Sequence, residues 1–191
     1  MSTSTRERIM EAARLTVQDL GYGGLSFREL AKEVGIKSAS IHYYFPTKGE
    51  LVVAIVRRYI ERHEAFLDDL FIESVDRGVL VGHYTEMYRR TLRNGNRMCL
   101  AGMLSAERNE LPEDVRAEVV RWGEMNERWL VGVLASEDGG NGDGGDADRT
   151  RHRARAIFAA VSGAQMIAHG RNEIAAYDDV IAAYRASGLL P

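Results

Sequence analysis

Three capping boxes in the first fifty residues constrain the fold of this 191-residue chain more than any other feature of its sequence. In a capping box, a serine or threonine and a glutamate three residues later satisfy the free backbone N–H groups at the start of an α-helix. The boxes are Ser4 with Glu7, Ser26 with Glu29, and Thr47 with Glu50. They predict three helix starts close together, and therefore a group of short helices at the N-terminal end.

Glycine and proline mark where these helices end. Gly21 and the glycines at 23 and 24 are expected to end the first helix. Gly35 predicts a left-handed stop after the second helix, and Pro46 breaks the third. Apolar residues at helical spacing continue along the rest of the chain. The predicted helices cover about 4–20, 27–34, 38–44, 48–71, 78–93, 97–107, 113–136, 151–170 and 177–187.

The whole pattern favours an all-α fold. Hydrophobic residues make up 45% of the chain, there are only 3 prolines, and no stretch shows the sustained alternation of a strand. We expect an N-terminal three-helix, helix-turn-helix head at 1–47, joined by a long helix to a larger helical body at 48–191. Residues 137–148 hold five glycines and five acidic residues, which predicts a flexible loop at 137–149 within that body.

The segment 35–48 is typical of a helix that lies in a DNA groove. It is short and polar, begins with small side chains, carries three aromatic residues and ends in a lysine. Helices at 27–34 and 38–44 have the spacing of a helix-turn-helix, whose second helix enters the major groove. Residues 1–62 carry ten basic and seven acidic side chains, against fifteen and twenty-one in the remainder. This asymmetry directs the basic end towards a polyanion.

Two kinds of DNA contact are expected from this segment. Lys37, Ser38 and Tyr43 are expected to face base edges, while the other polar side chains bind phosphates and position the head. Ile41 and Phe45 are expected to lie in the core of the head. The predicted DNA-binding residues are Ser26, Lys37, Ser38, Ala39, Ser40, His42, Tyr43, Tyr44, Thr47 and Lys48.

In these residues the chain resembles the TetR family of bacterial transcriptional regulators. The resemblance extends over residues 6–51 and is carried by 9–13, Gly21 and Tyr22, 26–31 and 35–48. It departs from the family at His42, where a tyrosine is usual. The resemblance implies an operator DNA partner, a homodimer held by the last two long helices, and a pocket for a small-molecule effector in each body.

Small side chains on the helix at 151–170 support the implied homodimer, because such a helix can approach a partner closely. A two-fold dimer would place two heads on the half-sites of a palindromic double-stranded DNA operator, one helical turn or ~34 Å apart. The alternative is that the helices at 151–170 and 177–187 pack only against other helices of their own chain. The predicted interface residues are Ile157, Ala160, Ala164, Ile167, Ala168, Ile181 and Tyr184.

Aromatic residues and methionines mixed with a few polar side chains predict the effector pocket. Core packing is an open alternative for each of them, and Gln165 and His169 are also compatible with the dimer interface. The predicted ligand-binding residues are Tyr84, Met87, Tyr88, Met103, Trp122, Met125, Asn126, Trp129, Gln165 and His169.

The sequence supports no enzyme class, and no catalytic residue, metal or cofactor is expected. It contains no nucleophile elbow, metalloprotease helix or phosphate-binding loop, and the five histidines lack the spacing of metal ligands. The single cysteine, Cys99, cannot form an intrachain disulfide, and no basic neighbour is placed to activate it. The N-terminal residues lack the apolar core of a signal peptide, and no apolar run approaches the ~20 residues of a membrane span. A cytoplasmic location without a membrane partner is therefore expected.

Together these features predict a sequence-specific DNA-binding transcriptional regulator. The repressor form of this hypothesis has a small, largely apolar effector that shifts the long helix at 48–71 and releases the operator. The alternative is a helical small-molecule binding or carrier protein whose DNA-binding head is non-functional. The sequence leaves open the effector, the operator sequence, and whether the protein represses or activates.

Overall fold

Every regular element in the described part of the chain is helical. The computed structural model describes residues 4–73, 76–135 and 144–191. A single 3₁₀ turn, Arg108–Glu110, lies between α6 and α7. The α-helices are α1 (Thr5–Gly24), α2 (Phe27–Val34), α3 (Ser38–Tyr44), α4 (Lys48–Glu73), α5 (Arg77–Arg93), α6 (Leu100–Ala106), α7 (Glu113–Ala135), α8 (Gly144–Arg171) and α9 (Ile174–Ala186). The all-α fold is confirmed for these residues, and α2 and α3 have the predicted bounds.

The chain divides into two compact units. The first unit is Met1–Arg62 with Cys99–Trp122, and it contains α1, α2, α3, the first part of α4, α6 and the first part of α7. The second unit is His63–Met98 with Gly123–Pro191. These units are defined by how the chain packs, whereas the boundary expected after residue 47 separates a DNA-binding domain from a ligand-binding domain. That functional boundary stays a prediction. None of the described helices is long and apolar enough to cross a membrane.

The turn between α2 and α3 has the geometry that the sequence predicts. Gly35 adopts the left-handed conformation, with φ 74° and ψ 40°. Such a conformation favours glycine, which has no Cβ to collide with the backbone. The N–H of Ile36 then donates to the carbonyl of Ala31 at 2.9 Å. Ile41 and Phe45 are buried, as expected, so α3 is anchored to the core of the first unit by one side.

Two of the three predicted capping serine and threonine residues cap a helix. Ser4 Oγ accepts the N–H of Glu7 at 3.2 Å, and Thr47 Oγ1 accepts the N–H of Glu50 at 3.1 Å. The box at Ser26 is wrong, because the Ser26 side chain makes no capping hydrogen bond although α2 starts at the next residue. The glutamate of that box, Glu29, instead accepts from Lys32 Nζ at 2.8 Å.

Two helix ends differ from the prediction. α1 continues to Gly24 and is interrupted at Gly21, where φ is 72° and ψ is −175°. α8 begins at Gly144, so residues 144–149 of the expected flexible loop are helical, and residues 137–143 lie outside the described residues. Glycine disfavours a helix by about 1 kcal/mol relative to alanine, which explains the expectation. Acidic residues in the first turns of a helix favour it through the helix dipole, which partly offsets that cost.

In the second unit, α9 packs against α5 and α8. Tyr177 donates from its hydroxyl to the carbonyl of Thr85 at 2.7 Å. The guanidinium of Arg89 donates to both carboxylate oxygens of Asp178, at 2.6 and 2.8 Å. These contacts attach α9 to α5 along its length.

Candidate DNA interface and effector site

Helix α3 presents an exposed polar and aromatic surface on the side opposite its buried anchors. Tyr43 is 81% exposed although it lies in the last turn of α3, between the buried Ile41 and the buried C-cap residue Phe45. The exposed members of the predicted DNA-binding set are Ser26, Lys37, Ser38, Ala39, His42, Tyr43, Tyr44 and Thr47, while Ser40 and Lys48 are half-buried. The rigid turn at Gly35 and the buried anchors therefore hold a surface that is available for a ligand.

Two aromatic side chains of this surface also contact the head itself. The ring of His42 packs edge-on against Phe27 at 4.9 Å, and its Nδ1 lies 3.3 Å from the carbonyl oxygen of Pro46. Phe27 is only half-buried, which corrects the expectation that it is fully buried. Tyr43 and Tyr44 pack edge-on, with ring centroids 5.2 Å apart. These contacts restrict the rotamers that the side chains present.

Lys48 is held by aromatic and acidic neighbours that the sequence did not indicate. Its Nζ lies 4.2 Å from the centroid of the Tyr22 ring, within the range of a cation–π contact. Burial lowers the pKa of Lys48, and the carboxylates of Glu107 and Glu110 oppose that shift. Both acids lie far from Lys48 along the chain, so no local pattern could have revealed them.

Four of the predicted effector residues meet in a buried cluster of the second unit. The hydroxyl of Tyr84 donates to Asn126 Oδ1 at 2.9 Å, and the hydroxyl of Tyr88 donates to the same oxygen at 3.3 Å. The ring of Trp129 stacks on Tyr84 with centroids 5.4 Å apart and 17° between the planes. Trp129 Nε1 donates to the carbonyl of Leu67 at 3.1 Å. The cluster joins α4, α5 and α7 within this unit.

A groove of about 490 Å³ opens beside this cluster. Met125 and Trp129 from the predicted set line it together with Leu67 and Phe71 of α4. Charged side chains lie at its edge, and Arg128 and Glu64 form an ion pair there at 3.5 Å. The last part of α4 and the middle of α7 therefore build a groove lined by both apolar and charged side chains.

Gln165 and His169 of the predicted effector set form hydrogen bonds to backbone groups near the end of α5. Gln165 Nε2 donates to the carbonyl of Tyr88 at 2.9 Å. His169 Nδ1 lies 2.6 Å from the carbonyl oxygen of Asn96, whose Nδ2 donates to the carbonyl of His169 at 3.0 Å. These bonds fasten the C-terminal end of α5, and the residues after it, to α8.

The remaining predicted effector residues are not brought to the cluster. Trp122 and Met103 belong to the first unit, where the Trp122 ring packs against Tyr59 at 5.0 Å. Met87 is half-buried on α5. The predicted effector residues are therefore dispersed over both units, and the spacing of residues along single helices could not distinguish their locations.

Most of the predicted dimer residues are covered by their own chain. Packing of these side chains within one chain is the alternative that the sequence left open, and their part in a dimer interface stays a prediction. The buried ones are Ile157, Ala160, Ala164, Ala168 and Ile181, whereas Tyr184 is half-buried. Met166 and Ile167 are 55% and 45% exposed. With the small residues Ala156, Ala159, Gly163 and Gly170, they form the outer face of α8, which is the surface available for association.

Neither metal nor thiol chemistry is favoured within the described ranges. No group of three or more histidine, cysteine or acidic side chains is placed there to hold a metal ion. Cys99 is buried, and its Sγ accepts the N–H of Gly102 at 3.1 Å. Burial raises the pKa of the Cys99 thiol to about 11.

Similar proteins were found for the head and for the whole fold. Residues 9–55 match the family model of bacterial regulatory proteins, tetR family. The probable HTH-type transcriptional regulator YttP of Bacillus subtilis is 35% identical over 68 residues, which are 36% of this chain and 33% of that protein. The HTH-type transcriptional repressor NemR of Escherichia coli is 27% identical over 116 residues, 59% of this chain and 58% of that one. The matches therefore span about a third to three-fifths of these relatives' length.

Solved structures match nearly the entire chain. A TetR transcriptional regulator from Legionella pneumophila superposes with a TM-score of 0.89 at 26% identity, covering 97% of this chain and 98% of that one. A TetR-family regulator from Agrobacterium tumefaciens gives 0.82 at 26% identity, with 92% and 93% covered. These relatives are transcriptional regulators rather than enzymes, in agreement with the sequence-based expectation. The matched head, the turn at Gly35 and the shared fold lead to one conclusion: residues 9–55 form a head of the tetR family of bacterial regulatory proteins, and the whole chain has the fold of TetR-family transcriptional regulators.

Proposed function

We propose that this chain binds an operator in a sequence-specific manner and that α3 is its recognition helix. The observation that carries the proposal is the exposed Tyr43 between the buried Ile41 of α3 and the buried Phe45 at the C-cap of that helix. Lys37, Ser38 and Tyr43 contact base edges in the major groove. The contacts to phosphate come from Ser26, Ala39, Ser40, His42, Tyr44, Thr47 and Lys48, with Ser26 and Ala39 contributing through their backbone or small side chains.

We propose further that two copies associate through the outer face of α8. Met166 and Ile167 supply exposed apolar surface on that face, and its glycines and alanines allow close approach of a second helix. Two-fold symmetry then gives two recognition helices and a palindromic operator. Such a protein acts where the chromosome lies, in the bacterial cytoplasm.

The regulatory step that we propose is release of the operator by a small, largely apolar effector. The name of the relative NemR supports the repressor assignment. The groove beside the Tyr84–Asn126 cluster supports an effector site, because it combines the apolar side chains of Leu67, Phe71, Met125 and Trp129 with polar groups that can orient a ligand. Leu67 and Phe71 of this groove and Lys48 belong to the same helix, α4. A bound effector that shifts α4 therefore changes the placement of Lys48.

Enrichment of genomic fragments tests the proposed function. The purified protein is mixed with sheared DNA of its source genome at 150 mM salt, and the retained fragments are sequenced. We expect a few fragments sharing one palindromic site to be enriched over the input. Retention in proportion to the input would instead support the small-molecule carrier. Because coupling is reciprocal, any effector that weakens operator binding must itself bind less tightly to the protein–operator complex.

A further inference from the structure

The interruption of α1 is closed by a side chain from a distant segment of the first unit. A break in a helix leaves the backbone N–H groups that follow it without partners in the preceding turn. After the break at Gly21, the N–H of Tyr22 donates to Glu107 Oε2, and the N–H of Gly23 lies 3.5 Å from Glu107 Oε1. Glu107 follows α6 directly. A carboxylate thus caps the second part of α1 from outside that helix.

The fit between this carboxylate and the break is close. A Cβ built on Gly21 would overlap the Glu107 carboxylate, and the positive φ of Gly21 independently favours glycine. Glycine at this position therefore permits both the break and the approach of the carboxylate.

Tyr22, whose backbone N–H is bound by Glu107, also contacts Lys48, a predicted phosphate-binding residue. Lys48 Nζ lies over the ring of Tyr22. Tyr22 is therefore held at its backbone by Glu107 and carries the ammonium group of Lys48 on its ring. A second acid, Glu110, lies near Gly23, with its Oε2 3.6 Å from a Cβ built there. It makes no hydrogen bond to the Tyr22 backbone among the described contacts.

We propose that Glu107 is a positioning residue for DNA binding, acting through Tyr22 on the ammonium group of Lys48. The proposal rests on the proposed function of the head. Glu107 touches no DNA itself, and its carboxylate sets the backbone of Tyr22, whose ring sets the place of Lys48 Nζ. The relevant partner is a DNA phosphate, which a misplaced lysine binds less well.

Matched variants separate this positioning from a general effect of charge. Glu107→Ala removes the acceptor and one negative charge, whereas Glu107→Gln removes the charge but keeps an acceptor oxygen. Glu110→Ala removes one negative charge from the same environment of Lys48. We expect Glu107→Ala to weaken binding to the enriched operator at fixed salt by about tenfold, and the other two variants to stay within about threefold of the wild type.

A double-mutant cycle with Lys48→Ala gives a readout that a merely structural role would not move. If Glu107 acts through Lys48, the double variant Glu107→Ala/Lys48→Ala binds as weakly as Lys48→Ala alone. Full additivity of the two losses would overturn the proposal. Equal losses for Glu107→Ala and Glu110→Ala would also overturn it, because they would show an effect of charge alone.

Hydrogen exchange of the DNA-free protein distinguishes failure of this inference from failure of the proposed function. We expect the amide protection of Tyr22 to fall by about tenfold or more in Glu107→Ala and to be unchanged in Glu110→Ala. Unchanged protection in both variants would overturn the positioning role. If the wild-type protein prefers no DNA sequence while this exchange pattern is observed, the proposed function fails and the anchoring of Tyr22 by Glu107 stands.

Discussion

The hydroxyl of Tyr84 lies 2.9 Å from Asn126 Oδ1, and both side chains are buried. Tyr88 donates to the same oxygen, so one amide group accepts hydrogen bonds from two phenols. A buried polar group that loses its partner costs roughly 1–3 kcal/mol. The cluster therefore places a hydrogen-bonded polar centre in the core of the second unit and has a structural role between α5 and α7.

Replacing Asn126 by leucine removes the acceptor that both hydroxyls share. We expect the free energy of unfolding to fall by about 2–4 kcal/mol, because two buried donors are affected by one change. Tyr84→Phe removes a single donor, and we expect a loss of only about 1 kcal/mol. Urea denaturation followed by circular dichroism measures both. Equal losses for the two variants would show that Asn126 is not the centre of the cluster.

Substitution of Gly163 tests whether the outer face of α8 is the dimer interface, because this glycine has free space around it. A Cβ built on Gly163 meets nothing within 4 Å, and the same holds for Gly82 on α5. Arginine at either position therefore fits the single chain and improves its helix propensity. We expect Gly163→Arg to sediment as a monomer at micromolar concentration, while the control Gly82→Arg stays dimeric. A Gly163→Arg protein that dimerises as tightly as the wild type would exclude this face.

Burial should make Cys99 a slow nucleophile. Its pKa of about 11 means that roughly one thiol in a thousand is ionised at pH 8, and only the thiolate reacts. We expect iodoacetamide to modify the native protein at least about a hundredfold more slowly than the guanidinium-denatured chain. The native rate should rise with pH towards 11. Mass spectrometry measures the extent of modification over time. Complete modification of the native protein within minutes at pH 8 would instead show that the thiol is accessible or activated.

The pair of Arg89 and Asp178 predicts a modest dependence of stability on pH. Hydrogen bonds from Arg89 hold the pKa of Asp178 below its usual value. A carboxyl group whose pKa is lowered on folding stabilises the protein above its unfolded pKa of about 3.9, and this contribution is lost as the pH falls through the folded pKa. Both side chains are partly exposed, so we expect no more than about 1 kcal/mol.

The variant Asp178→Asn measures that contribution directly. We expect it to be less stable than the wild type at pH 7, and we expect the difference to shrink between pH 7 and about pH 2 as the wild-type carboxyl group becomes protonated. A difference that is the same at both pH values would show that packing, rather than charge, is responsible.

The head was largely predictable because its determinants are local. Gly35 and Pro46 define the ends of α2 and α3 through backbone conformation, and the apolar Ile41 and Phe45 lie on one side of α3. Nothing more distant is needed to predict which side of α3 faces outward. The Ser26 box failed because a capping pattern does not say whether the glutamate will prefer another partner, here Lys32.

Contacts between distant segments were not predictable. No spacing rule connects Glu107 with Tyr22, or Gln165 with the end of α5, since these residues approach only after the helices pack. The side of α8 that faces outward could not be predicted for a related reason. Alanine and glycine occur on two sides of that helix, and only packing against α5 and α9 decides which side is covered.

Binding to the DNA upstream of the protein's own gene is the most direct measurement. Fluorescence anisotropy is recorded for the wild type, Tyr43→Ala and the exposed control Leu20→Ala, over a salt series with non-specific competitor. We expect tight, competitor-resistant binding with a steep salt dependence, at least about tenfold weaker for Tyr43→Ala and unchanged for Leu20→Ala. Equal binding by all three proteins, or no preference for this DNA over random DNA, would contradict the assignment of α3 as a recognition helix for this site.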